Sequence, residues 1–402
     1  MFRFGGDFPL GRLAWVARRD IYLWQMMVAS KKRIAYIVLA AAMAAQTATA
    51  QSVSVAELEQ RLVRLKGKSD SAAADALTGM DLTERASAAR LERWRKQLPG
   101  DRSRDALLAL VDESAFLKLP AGDLSVAPPP DETAQHEMMA RTVGRLNLVF
   151  SLLPNFYATR ATTHFEDASM QVQQSQPFPT SSGGGRRGAG IMDNFSSITS
   201  WEPIHRTGRF EVTISFRDGD EAIETPKGRT SQQAVGLTTS GEFGPILEVV
   251  VGDSGRGKIA WDHWEQGPTG TLAVFKFSVT EPESHFRVSL ASGNGIDTAH
   301  PAYHGEIAID PASGDVFRLT EVADMTPPHE RVQAELLVEY APVALGERSY
   351  ICPVRGVAML KVPTSADPGM QKAGEPALKT YLNDEVFTDY HLFRAETRIL
   401  PE

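Results

Sequence analysis

Two periodicities divide the chain. From residue 53 to about 153, apolar residues return every three or four positions, the spacing of one helix face, as in Leu58, Leu62 and Leu65. Leu82, Ala86, Leu91, Trp94 and Leu98 continue such a face until Pro99-Gly100 breaks it, and a further piece runs over about 103–116. Pro128-Pro129-Pro130 closes that region. Asp131 then stands where an N-cap is needed, and Met139, Val143, Leu146, Val149, Phe150 and Leu153 carry a last helix to Pro154-Asn155. Three or four helices are expected over this span.

After Asn155 the period becomes two. Phe210, Val212, Ile214 and Phe216 alternate with polar partners and run into Asp218-Gly219-Asp220, a strand entering a hairpin. Alternating runs recur at 272–279, 286–290, 307–309, 316–319, 336–340, 350–359 and 386–399. Connections as short as 310–315 favour antiparallel pairing, because parallel neighbours need crossovers of about a dozen residues. The pattern predicts an α+β fold, an N-terminal helical region followed by a large, curved, mostly antiparallel sheet of half-barrel type. No repeat of fixed period argues for a solenoid or propeller.

The beginning of the chain carries a different signal. Lys31, Lys32 and Arg33 precede an apolar run over 34–45, and Ala48-Thr49-Ala50 supplies the small residues of a cleavage site. This reads as an export signal peptide with its start at Met26 or Met27; the apolar run is shorter than the roughly 20 residues that span a bilayer. The expected division is an upstream extension and leader over 1–50, a helical region over 51–127, and a helix plus antiparallel β domain over 128–402. A periplasmic or secreted location follows, with membrane contact only through the transient leader.

Loss of the seven basic and two acidic residues of positions 1–50 changes the net charge from −8 to −13, leaving 35 basic and 48 acidic side chains. Such a surface disfavours nucleic acid as a partner. The lone Cys352 excludes an intrachain disulfide, and its place in the strand-like run 350–354 reads as a small buried hydrophobe. The stretches 176–190 and 363–376, rich in Gly, Ser, Pro or Ala, lack apolar periodicity and read as mobile loops.

No complete catalytic constellation appears. Gly252-Asp253-Ser254-Gly255 resembles a protease nucleophile loop over four residues only; it has ordinary turn composition and reads as a surface turn between strands. His300, His304 and Glu306 come nearest to a metal site, but a loop running into a strand gives the two imidazoles no reason to converge, so no metal and no cofactor are expected. His136-Glu137 lacks the second histidine of a zinc-protease helix, the glycine-arginine loop over 183–190 lacks a P-loop ending, and Asp218, Asp220 and Glu221 lack the spacing of an EF-hand. Trp261 and Trp264, clustered with His263 and Glu265, are candidates to line a pocket for an apolar or carbohydrate ligand.

The segments Leu153-Pro154-Asn155-Phe156-Tyr157-Ala158-Thr159-Arg160, Leu237-Thr238-Thr239-Ser240-Gly241-Glu242-Phe243-Gly244-Pro245, Tyr303-His304-Gly305-Glu306-Ile307 and Phe387-Thr388-Asp389-Tyr390-His391-Leu392-Phe393 resemble a family of secreted bacterial proteins with no assigned function. The helix, opening strand and hairpins also resemble the half-open barrel of periplasmic lipoprotein carriers. That resemblance implies an apolar cavity facing Phe210, Ile214, Phe275, Phe277 and Val288. The expected function is non-enzymatic binding of a lipid, lipoprotein or other apolar ligand on a curved sheet. The alternatives are an envelope hydrolase or metal-dependent enzyme using some of Asp262, His263, His300, His304 and Glu306, and a structural or adaptor module that docks an envelope protein.

Overall fold

Short polar caps start the helices. Ser54, Ser69 and Ser87 each accept a backbone N–H from the first turn of α1 (Val55–Leu65), α2 (Asp70–Thr78) and α3 (Ala88–Arg95), and Ser54 with Glu57 completes a capping box. Helix α4 (Asp101–Glu113) follows a glycine and lacks a local cap. Asp70 of α2 supplies one instead, its carboxylate accepting from the backbone N–H of Arg102 at 3.1 Å and Ser103 at 2.9 Å. This fixes α2 against α4, the central helix, which buries eight of its 13 residues. Asp131 caps α5 (Glu132–Leu152) as its position predicts, accepting from Ala134 at 2.8 Å.

The computed structural model describes residues 51–168, 202–224, 239–268, 270–292, 295–363 and 378–393. The leader over 1–50, the loop 176–190 and nearly all of 363–376 lie outside the described residues. Among those described, no helix is long and apolar enough to cross a membrane.

Among the described residues, five α-helices lie between Val55 and Leu152, against the three or four expected over this span. The face read as continuous over 82–98 is divided: Leu82 ends the short strand β2 (Met80–Leu82), which pairs with β1 (Gln51–Val53), and Ser87 starts α3 afresh. Both pieces bury Leu82, Leu91, Trp94 and Leu98 in one core, so their spacing reports a shared interior and not one helix.

The main sheet comprises β3 (Phe156–Ala168), β4 (Glu202–Arg217), β5 (Asp220–Glu224), β6 (Lys258–Gln266), β7 (Thr271–Val279), β10 (Ala302–Ile309), β11 (Val316–Asp324), β12 (Gln333–Leu345), β13 (Arg348–Pro363) and β14 (Leu378–Leu392). Its order is β5-β4-β3-β14-β13-β12-β11-β10-β7-β6, and all neighbours are antiparallel. The ends β5 and β6 do not pair with each other, so the sheet is an open half-barrel. A separate ribbon, β8 (Val288–Ser292) and β9 (Gly295–Ala299), is inserted between β7 and β10. The β4–β5 hairpin turns at Asp218 and Gly219, whose φ values of 53° and 93° give the two left-handed positions of a tight two-residue turn.

Both sheet faces are covered. Phe165, Leu337, Val357, Met359 and Leu382 join the core of α1–α4, so the helical region packs on the sheet within one compact unit. The opposite face carries α5 and α6 (Pro245–Ser254), with Leu146, Leu247 and Val250 seated on Phe275, Ile307, Leu319 and Val338. Here Gly252-Asp253-Ser254-Gly255 departs from the expected surface turn. It forms the last turn of α6, because Pro245 starts a helix whose Leu247 and Val250 must reach the sheet; Ser254 bonds back to the Val250 carbonyl.

Candidate functional site

The helical-region face carries alternating charge across neighbouring strands. Register places Arg318 opposite Glu339 and Glu339 opposite Arg355. Arg318 bridges Glu265 at 2.7 Å and Glu306 at 3.1 Å, and Arg85, from the loop after β2, adds a 2.6 Å bond to Glu265. These charges hold Glu265 well below the usual carboxylate range although burial pulls it the other way. Arg355 likewise joins Asp384 of β14, Glu339 of β12 and the fully buried Asp112 of α4. These networks fasten the helical region to the sheet.

Of the enzymatic candidates, the fold brings Asp262 and His263 into contact and leaves His300 and His304 apart from them. His263 lies between Asp262 at 2.7 Å and Glu265 at 3.5 Å; against the effect of burial, these two carboxylates carry it above the ordinary histidine value. Glu306 is committed to arginine, His304 is half exposed beside Asp324, and His300 is exposed at the end of the ribbon. Among the described residues, no three His, Cys, Asp or Glu side chains converge as a metal site would require.

The face under α5 and α6 is built differently. Leu146, Val149 and Leu153 on and just after α5, Phe243 and Leu247 at the start of α6, and Val316, Tyr340 and Ile351 from the sheet enclose a cavity, with Arg145 and Asp315 at its edge. Its volume is about 20 Å³, room for about one water. No lipid fits unless a wall moves. Helix α5 is the wall with least attachment: among its described side chains only Thr142 and Leu146 are buried, whereas Val143, Leu148 and Leu152 are 39 %, 50 % and 54 % exposed.

Polar contacts to the β10–β11 hairpin hold α5 in place. Arg145 pairs with Asp315 at 2.7 Å, and Arg141 donates to the Pro311 carbonyl. Gly314 has φ +77°, and a Cβ there would lie 2.9 Å from the Arg141 and Thr142 backbone. Gly314→Ala therefore combines left-handed strain with a clash against α5, a local cost of about 1–3 kcal/mol. The expected result is faster limited proteolysis within α5, with a urea midpoint lowered by no more than that cost accounts for.

None of the aromatic and aliphatic residues chosen from the sequence lines this cavity: Ile214, Phe275, Phe277 and Val288 are buried in core clusters, and Phe210, Trp261 and Trp264 are half-buried. Trp261 packs edge-on against Trp264 at 4.7 Å and against Phe275, and Trp264 donates its indole N–H to the Pro128 carbonyl. Phe277 packs on Tyr303, Ile214 joins the cluster of Phe156, and Phe210 leans on His164. Val288 belongs to a small cluster with Ala323 and Ala334. Cys352 is buried as expected, and burial pushes its thiol up to about 12.

Tyr340, Phe243, Leu247 and Ile351 were missed as a site. Tyr340 is 3 % exposed, yet its hydroxyl makes no hydrogen bond among the described residues. Beside this cavity stands Glu242, fully buried, with Arg160 at 3.8 Å. Arg160 is shared with Glu385 at 3.9 Å and donates to the Thr239 carbonyl, while Thr239 donates its hydroxyl to Glu385 at 2.9 Å. The chain matches no protein-family model, no curated protein and no solved structure among those compared.

Proposed function

We propose that this is an exported, non-enzymatic protein that holds an apolar ligand, a lipid or the acyl chain of a lipoprotein, between α5 and the open sheet. The observation that carries this reading is the weak attachment of α5 over an aliphatic and aromatic sheet face. Moving α5 aside exposes Leu146 and the partly buried Met138 and Met139, at about 1.5–3 kcal/mol for a fully buried side chain. An acyl chain entering the gap gains about 0.8 kcal/mol for each CH₂ it buries. A dozen methylenes, about 10 kcal/mol, exceed that opening cost.

The test is to express residues 51–402, extract the purified protein with organic solvent and identify small molecules by mass spectrometry. A lipid recovered at close to one per chain supports the proposal, and recovery of nothing apolar contradicts it. The exposure of Val143, Leu148 and Leu152 on α5 favours one second reading, an envelope protein docked on the outer side of that helix.

A further inference from the structure

The polar end of the cavity carries information about the ligand's head group. Tyr340 lines the cavity and is 3 % exposed, with a hydroxyl that has no partner among the described residues. Phe243 lines it too, and the adjoining Glu242 is 0 % exposed; its carboxylate takes no hydrogen bond from an N–H or hydroxyl donor of the described residues and meets instead the carboxyl of Glu221, with which it can share a proton. Buried groups of this kind are costly unless something completes them. The charges near Tyr340 are those of Glu242, Glu321 and Glu221.

We infer that, on the proposed apolar-ligand reading, the site under α5 selects ligands whose head group is a hydrogen-bond-donating cation, an amine, over fatty-acid anions. Arg160 is the cation paired with Glu242 and Glu385, and it is already shared between them. A carboxylate head would add a further negative charge to this group, whereas an ammonium donates to Glu242 in place of the proton shared with Glu221 and adds positive charge where acids outnumber the one arginine. A bare metal ion is a poorer fit, since among the described residues these carboxyls do not converge as metal ligands do.

The surroundings add a proton linkage. The groups around the head-group end are Arg160 from β3, Glu221 from β5, Glu242 before α6, Tyr340 from β12, and Glu385 and Tyr390 from β14. Arg145 of α5 and Asp315 line the cavity as a mutually neutralising pair, and Glu321 of β11 acts on Tyr340 while standing beside Asp253, which Tyr303 and His285 already engage. Burial, reinforced by Glu242, pushes Glu221 and Glu385 up to about 7; burial, reinforced by Asp253, pushes Glu321 up to about 8. An entering ammonium favours their ionised forms, so binding releases protons and tightens between pH 6 and 8.

The experiment is isothermal titration calorimetry of residues 51–402 at pH 7.5 with dodecylamine, dodecanol and dodecanoate, each below its micellar concentration. Dodecylamine is expected to bind about tenfold tighter than dodecanol, with dodecanoate weakest and with proton release visible across buffers of different ionisation enthalpy. Glu242→Gln removes the preference for amine over alcohol, and Tyr340→Phe, which barely changes volume, weakens dodecylamine about fivefold. Equal affinity for all three, or tighter dodecanoate, overturns the head-group inference and leaves the apolar-ligand reading standing. Binding of none of the three overturns both.

Discussion

Replacing Arg355 with methionine is expected to lower the free energy of unfolding by about 3–5 kcal/mol, read from urea denaturation. The guanidinium joins one helix and three strands: Asp112 on α4, Glu339 on β12 and Asp384 on β14, with Arg355 itself on β13. Burial drives the Asp112 carboxyl upward, and Arg355 is the largest influence opposing that shift. Methionine fills the space but leaves buried acids without a cation, which is the costly way to break such a network. Adding Asp112→Asn to the variant should recover part of the loss, a coupling that a double-mutant cycle isolates. A loss below about 1 kcal/mol would contradict the docking of the helical region through these charges.

Thermal stability should fall between pH 5 and pH 8. Burial raises Glu113, Glu221 and Glu385 to about 7 and Glu321 to about 8, from an ordinary 4.5. A carboxyl whose folded value is raised binds its proton more tightly in the native state, so its favourable contribution is complete below about 4.5 and is lost as pH rises through 7 to 8. Each excess native proton tilts stability by about 1.4 kcal/mol per pH unit within that window. Glu265 acts in the opposite sense: held low by Arg318, His263 and Arg85 against burial, it contributes above 4.5 and loses that contribution only on further acidification. The two windows place the maximum near pH 5. Melting followed by circular dichroism checks this, and an equal or higher Tm at pH 8 than at pH 5 would contradict it.

Much of the fold was legible because most strands bury one face in a regular way. The runs at 272–279, 316–319 and 336–340 fall within β7, β11 and β12, and Asp218-Gly219 makes the predicted turn. Strand β3 was harder to delimit from the change of period after Asn155. Its positions on the sheet face opposite α1–α4 include Arg160, Thr162 and His164, buried polar groups that interrupt the apolar alternation. Strand β6 mixes Trp261, Asp262, His263 and Trp264 at an edge, with half-buried residues on both faces, and gives no clean period. Helix α6 was hidden because its apolar run is short and ends in Gly252-Asp253-Ser254-Gly255, residues that resemble a turn.

The candidate site was less legible than the fold. Leu146, Val149 and Leu153 showed as one helix face, but nothing local distinguishes Tyr340 from any other strand aromatic, or Glu242 from a loop glutamate. Their meaning comes from long-range neighbours, since Glu242, Arg160 and Glu385 are brought together only when β3 pairs with β14 and the loop before α6 folds over them. The aromatics that stood out, Trp261, Trp264, Phe275 and Phe277, are conspicuous because they build the core.

The most direct test of α5 as a movable cover is amide hydrogen exchange of residues 51–402, followed by mass spectrometry with and without dodecanol. Helix α5 is expected to exchange well ahead of β12 and β13 in the free protein, through local opening that leaves the sheet intact, and to gain protection when the alcohol is bound. Exchange in α5 as slow as in β12 and β13, unchanged by dodecanol, would contradict a ligand site beneath that helix.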